Sequence, residues 1–130
     1  MSNEIYTEEN INGIYVLFIF FSPYDCGECL LESNYWEEIH KDYTNNSFKV
    51  FAIANAPRKR EISLFVKRRK LTFPILYDKD NKIKKFLKIA RTPIKILINK
   101  NRKIIFSQYS NNNIEENKKL TDKIALIAKQ

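Results

Sequence analysis

The chain has 130 residues, 44% of them hydrophobic, enough for one ordinary core and too few for two. A formal net charge of +8 favours acidic partners of any kind without choosing among nucleic acid, anionic lipid and protein. Two cysteines exclude a disulfide-stapled mini-domain, and no apolar run approaches the ~20 residues of a membrane span.

Residues 1–12 read as a polar lead-in with a Glu8-Glu9-Asn10 cluster, and residues 13–130 as a single domain beginning at Gly13. Met1-Ser2-Asn3-Glu4 lacks a basic n-region and an apolar h-region. With Met1 as the native start a cytoplasmic protein is expected; with a trimmed export segment, a periplasmic or otherwise extracytoplasmic one.

Val16 to Phe21 reads as a buried strand that ends just before Asp25-Cys26-Gly27-Glu28-Cys29. Leu31, Tyr35, Trp36, Ile39 and Tyr43 then recur at helical spacing, so the cysteines open an amphipathic helix that Thr44-Asn45-Asn46 ends. Phe48 to Ala54 is a second strand, predicted parallel to the first through a right-handed crossover. After Pro57 a helix turns Ile62, Phe65 and Val66 inward and gathers Lys67, Arg68, Arg69 and Lys70 at its C-terminal end, where cations complement the dipole. Phe73 to Tyr77 is a short extended piece, Asp78 to Asn81 a turn and Ile83 to Leu87 a short basic helix. Ile94–Ile98 and Lys103–Phe106 form a predicted antiparallel hairpin, with Asn101 the residue suited to a left-handed turn. Asn113 caps a last helix with Leu120, Ile124, Ile127 and Ala128 on its inner face.

The chemistry rests on the cysteines. A helix starting at Cys26 sets that thiol among unpaired N–H groups at the positive end of the dipole, which favours its thiolate; Cys29 lies one turn inside, within reach. Such a pair can attack a target disulfide through Cys26 and resolve the mixed disulfide through Cys29. The bland alternatives are weaker. Structural zinc needs about four ligands, and a single histidine, His40, is no substitute for a second cysteine pair. Tyr35 and Trp36 read as core or groove wall, and the Arg58-Lys59-Arg60 and Lys67–Lys70 clusters as solvated helix surface, so no nucleic acid is expected.

The order strand, Cys-x-x-Cys at a helix start, parallel strand, Thr-Pro, hairpin and closing helix resembles the thioredoxin superfamily. Leu71-Thr72-Phe73-Pro74-Ile75-Leu76-Tyr77-Asp78 and Ala90-Arg91-Thr92-Pro93-Ile94-Lys95-Ile96-Leu97-Ile98-Asn99 resemble more narrowly its TlpA/ResA-like thiol-disulfide oxidoreductases. The resemblance implies an α/β, thioredoxin-like fold: a central mixed β-sheet flanked by helices on both faces. It also implies a cis Pro93 against the disulfide, a Thr92-Pro93 loop that docks an extended client peptide, and Gly27 and Glu28 as the tuning dipeptide. Three departures stand out. Ser22-Pro23-Tyr24-Asp25 replaces the family's Trp-Cys approach, with Tyr24 the candidate to shield and contact the client in its place. No buried acid is evident to take the proton of Cys29, and little sequence remains for an N-terminal hairpin.

Asp25, Glu28, Glu32, Glu37, Glu38 and Asp42 against Lys41 make the segment from Tyr24 to Thr44 acidic. Carboxylates flanking Cys26 oppose the dipole and predict a reductant, with a potential nearer about −270 mV than about −120 mV. The expected partners are client protein disulfides and an upstream thiol reductant, with no cofactor or metal, no membrane insertion, and a monomer. Two other readings stay open. A peroxiredoxin-like peroxidase shares the fold, though Cys26 has Pro23 three residues earlier where that reading wants Thr or Ser; a non-catalytic interaction module or copper chaperone would use both thiols for Cu(I).

Overall fold

The computed structural model describes residues 13–23, 27–109 and 114–129. Five strands form one mixed sheet in the order β3-β2-β1-β4-β5: β1 (Tyr15–Phe21), β2 (Phe48–Ala54), β3 (Ile75–Tyr77), β4 (Ile94–Ile98) and β5 (Ile104–Tyr109). The helices are α1 (Gly27–Tyr43), α2 (Lys59–Arg69), α3 (Lys82–Phe86) and α4 (Ile114–Ala128).

Strands β1, β2 and β3 run parallel and step across the sheet in one direction. Right-handed crossovers in one direction place their connecting helices on one face, and the packing agrees. Leu17, Ile19 and Phe21 of β1 share a core with Trp36 and Ile39 of α1, Ile62, Phe65 and Val66 of α2, and Leu120, Ile124 and Ile127 of α4. The alternate residues Phe18 and Phe20 face the other way, where Ile83 of α3 joins Phe51, Ile53, Ile94 and Ile96. Helices thus flank both faces, three long ones on one and a five-residue helix on the other.

The sequence reading places most of these elements within a residue or two, and the differences have local causes. The piece ending at Tyr77 is a full member of the sheet, an edge strand parallel to β2. Helix α3 begins at Lys82 because the buried carboxylate of Asp78 accepts the backbone N–H groups of Ile83 (2.9 Å) and Lys84 (3.0 Å), satisfying donors that the helix itself cannot. In the hairpin it is Arg102, with φ 63°, and not Asn101, that takes the left-handed conformation. The Asn99 carboxamide oxygen accepts from the N–H groups of Asn101 (2.9 Å) and Lys103 (3.0 Å), and the N–H of Arg102 donates to the Asn99 carbonyl (3.0 Å). That turn leaves the fourth residue left-handed, and a register shift at Leu97/Ile98 follows. Asn113, the expected cap of α4, lies outside the described residues.

Candidate active site

The C-terminal end of β1 organises the site. Phe20 pairs with Ile94 in the antiparallel β1–β4 register, so Pro93 stands level with Phe21, the last residue of β1. The Thr92–Pro93 peptide is cis, as the resemblance implied. Pro93 is buried and Thr92 half-buried. The loop therefore lies at the sheet end from which the chain passes toward α1.

Helix α1 opens at Gly27, which is exposed and, among the described residues, has no neighbouring atom within 4 Å of the position a Cβ would take. Two residues on, Cys29 is 0% exposed and carries no free thiol. Tyr24, Asp25 and Cys26 lie outside the described residues, as does the side chain of Glu28. Behind Cys29, the hydroxyl of Ser33 donates to the Leu30 carbonyl (3.1 Å) and accepts from Arg69 Nε (3.0 Å), which ties α1 to α2. Trp36 is fully buried with its ring 5.2 Å from that of Phe21; it is core, as expected. Beside the loop, a polar recess of about 130 Å³ is lined by Ser22, Asn55, Asp78 and Thr92 among others, at the strand ends where α/β sheets place their ligands. Within that lining Asn55 Nδ2 donates to the Asp78 carbonyl (2.6 Å).

The expectation that no buried acid lies near Cys29 is corrected here. Glu32, one helical turn after Cys29, is 7% exposed and forms a buried ion pair with Lys95 of β4, itself 1% exposed. Glu32 Oε1 accepts from Lys95 Nζ, while Oε2 has no partner among the described residues. The acidity of α1 is also less than its composition suggests. Glu37 is turned inward, its Oε1 accepting from the N–H of Thr72 (2.8 Å) and its Oε2 from the Thr72 hydroxyl (2.6 Å). Tyr35 donates or shares its hydroxyl with Asn117 O (2.8 Å) and Thr121 Oγ1 (2.7 Å), and burial pushes its pKa up to about 12. His40 packs edge-on against Phe73 and bonds Thr44 through Nδ1 (3.0 Å); burial lowers its pKa, and it stands apart from the site as expected.

The Glu32–Lys95 pair had a signal in the sequence. Strict alternation along Ile94-Lys95-Ile96-Leu97-Ile98 sets Lys95 on the same face as Leu97, toward the helices, and Glu32 shares the apolar side of α1 with Cys29, Ser33 and Trp36. Among the described residues no group of three or more His, Cys, Asp and Glu gathers to hold a metal, and no helix is long and apolar enough to cross a membrane.

A three-helix face over a mixed sheet, a cysteine in the first turn of α1 and a cis-proline at the start of β4 define a thioredoxin-like fold. The family model described as Redoxin matches residues 3–124, and the chain belongs to that family. It is 24% identical over 95 residues to the thiol-disulfide oxidoreductase ResA of Oceanobacillus iheyensis, covering 73% of this chain and 49% of that protein. With ResA of Geobacillus thermodenitrificans the identity is 27% over 88 residues, covering 68% and 51%. The chain thus spans about half the length of the curated relatives it matches. Among solved structures, a thiol-disulfide isomerase from Corynebacterium glutamicum superposes with a TM-score of 0.81 at 16% identity, over 94% of this chain and 87% of that one.

Proposed function

We propose that the chain is a thiol-disulfide oxidoreductase that exchanges a Cys26–Cys29 dithiol/disulfide with protein disulfides, acting as a reductant. The observation that carries this reading is the placement of Cys29: buried, one turn into α1, at the sheet end where the cis Pro93 loop begins β4. The absence of a free thiol at Cys29 agrees with its pairing to Cys26. The relatives named for the same chemistry support it further.

In the cycle the Cys26 thiolate attacks a client disulfide and forms a mixed disulfide, releasing one client sulfur as a thiolate. Cys29 then gives its proton to a base, and its thiolate attacks Cys26 Sγ. The bond from Cys26 to the client breaks, the second client sulfur leaves as a thiolate, and the client has gained two electrons while Cys26 and Cys29 are oxidised to a disulfide. An upstream dithiol donor restores the reduced pair. Glu32 is the base: a buried carboxylate on the apolar side of α1, with one oxygen spare. Thr92 and Pro93 present the backbone that pairs with the client, Tyr24 is the candidate client contact before the cysteines, and Asp25, Gly27 and Glu28 set the reactivity of Cys26. One copy of the chain contains every group the cycle uses.

The reductant assignment rests on the carboxylates at positions 25 and 28, since the charge of Glu32 is paired with Lys95 and Glu37 is turned inward onto Thr72. Equilibration of the purified protein with dithiothreitol or glutathione measures the potential, expected nearer about −270 mV than about −120 mV; a value above roughly −170 mV overturns the direction. Loss of protein-disulfide reduction in Cys26→Ser is expected, and retention of it ends the proposal.

A further inference from the structure

We infer that Lys95 is a positioning residue for proton transfer at Cys29, holding Glu32 as an anion by its Oε1 and leaving Oε2 open. The inference rests on the thiol-disulfide reading above and assigns a part in it to a residue of β4 that follows the client-docking loop.

Lys95 lies two residues after cis Pro93 on the helix-facing side of β4, flanked in register by Ile19 of β1 and Gln108 of β5. An ammonium with 1% exposure is costly unless it is paired. Burial lowers the pKa of Lys95 and the Glu32 carboxylate works against that shift. The surrounding groups leave the pair to itself. From α1 come Cys29 one turn earlier and Tyr35 one turn later, whose ring lies 5.7 Å from Lys95 Nζ. The Tyr35 hydroxyl is already engaged with Asn117 and Thr121 of α4. From β1 and β5 come Ile19 and Gln108, neither of which titrates, and the buried Gln108 carboxamide has no partner among the described residues at either Oε1 or Nε2. Lys95 is thus the one fixed positive charge facing Glu32 among the described residues of these elements.

The consequence is chemical. A buried carboxylate without a cation takes up a proton from solvent, and a protonated Glu32 cannot accept the proton of Cys29. With Lys95 on Oε1 the carboxylate has a buried cation against its charge, and Oε2, without a partner among the described residues, is placed to receive that proton in the resolving step. The thiolate of Cys29 then forms its bond to Cys26 as the client sulfur leaves, and Glu32 later returns the proton to solvent.

The test is kcat for reduction of insulin disulfides, with dithiothreitol as the electron donor, measured against pH. Lys95→Met should displace the rising limb upward by about one pH unit, so that kcat at pH 7 falls about tenfold while KM is unchanged. Lys95→Met added to Glu32→Gln should change nothing further, because Lys95 acts through Glu32. A Lys95→Met profile that superimposes on the wild type overturns the inference, and so does an additional tenfold loss in the double variant. Should Lys95→Met fail to fold, the double variant, which removes both charges together, carries the comparison with Glu32→Gln on the same criterion. A wild-type protein that reduces no disulfide refutes the functional reading; an active wild type with an unmoved Lys95→Met profile refutes the role of Lys95 alone.

Discussion

Two buried carboxylates on α1, Glu32 and Glu37, are each 7% exposed, yet they are built for different purposes. Glu37 spends both oxygens on the N–H and hydroxyl of Thr72, at 2.8 and 2.6 Å, and pins the segment between α2 and β3 to the middle of α1. Glu32 spends one oxygen on Lys95 and keeps the other without a partner among the described residues. A fully satisfied carboxylate is a structural fastening. One with an open, buried lone pair, a single turn from a cysteine, can take a proton. Burial is common to both; what separates Glu32, the base of the proposed cycle, from Glu37 is a buried oxygen without a partner among the described residues.

Replacing the fastening should have the largest effect. Glu37→Ala removes two hydrogen bonds to a charged group and is expected to lower the unfolding free energy by about 2 kcal/mol, read by urea denaturation, with kcat for disulfide reduction unchanged. The Lys41 contact at 3.9 Å, made by a side chain 66% exposed, adds little to that sum. Glu32→Gln should do the reverse: a fall of about tenfold in kcat at pH 7, equivalent to about 1.4 kcal/mol of barrier, from loss of the proton acceptor. Equal losses of activity in the two variants would erase the distinction. Thr72→Val, which deletes the hydroxyl and keeps the backbone N–H, should cost about 1 kcal/mol in stability and sharpen the assignment of Glu37 as a fastening.

The same contrast separates what is legible in the sequence from what is not. The unbroken apolar run Val16–Phe21, the largely apolar Ile94–Ile98 and the helical spacing of Tyr35, Trp36 and Ile39 are local signals, so strands, helices and the parallel β1–β2 pair are legible. The cis Thr92–Pro93 peptide follows from resemblance and from a proline standing just before an apolar strand. The hidden features depend on contacts between residues far apart in sequence. Glu32 and Glu37 look alike among the acids of α1 until Lys95, 63 positions away, and Thr72, 35 positions away, are set against them. The turn at Arg102 is hidden for a related reason: the Asn99 side chain, not the intrinsic preference of Asn101, decides which residue goes left-handed.

In the proposed cycle proton transfer through Glu32 serves disulfide exchange, and that exchange has a direct test. Cys29→Ser incubated with a disulfide-bonded protein should accumulate a covalent adduct through Cys26, seen on a non-reducing gel and by mass, and dissolved by dithiothreitol. Adduct formation that persists when Cys26 is also replaced by Ser, or its absence from Cys29→Ser while the wild type reduces the same protein, would contradict the account.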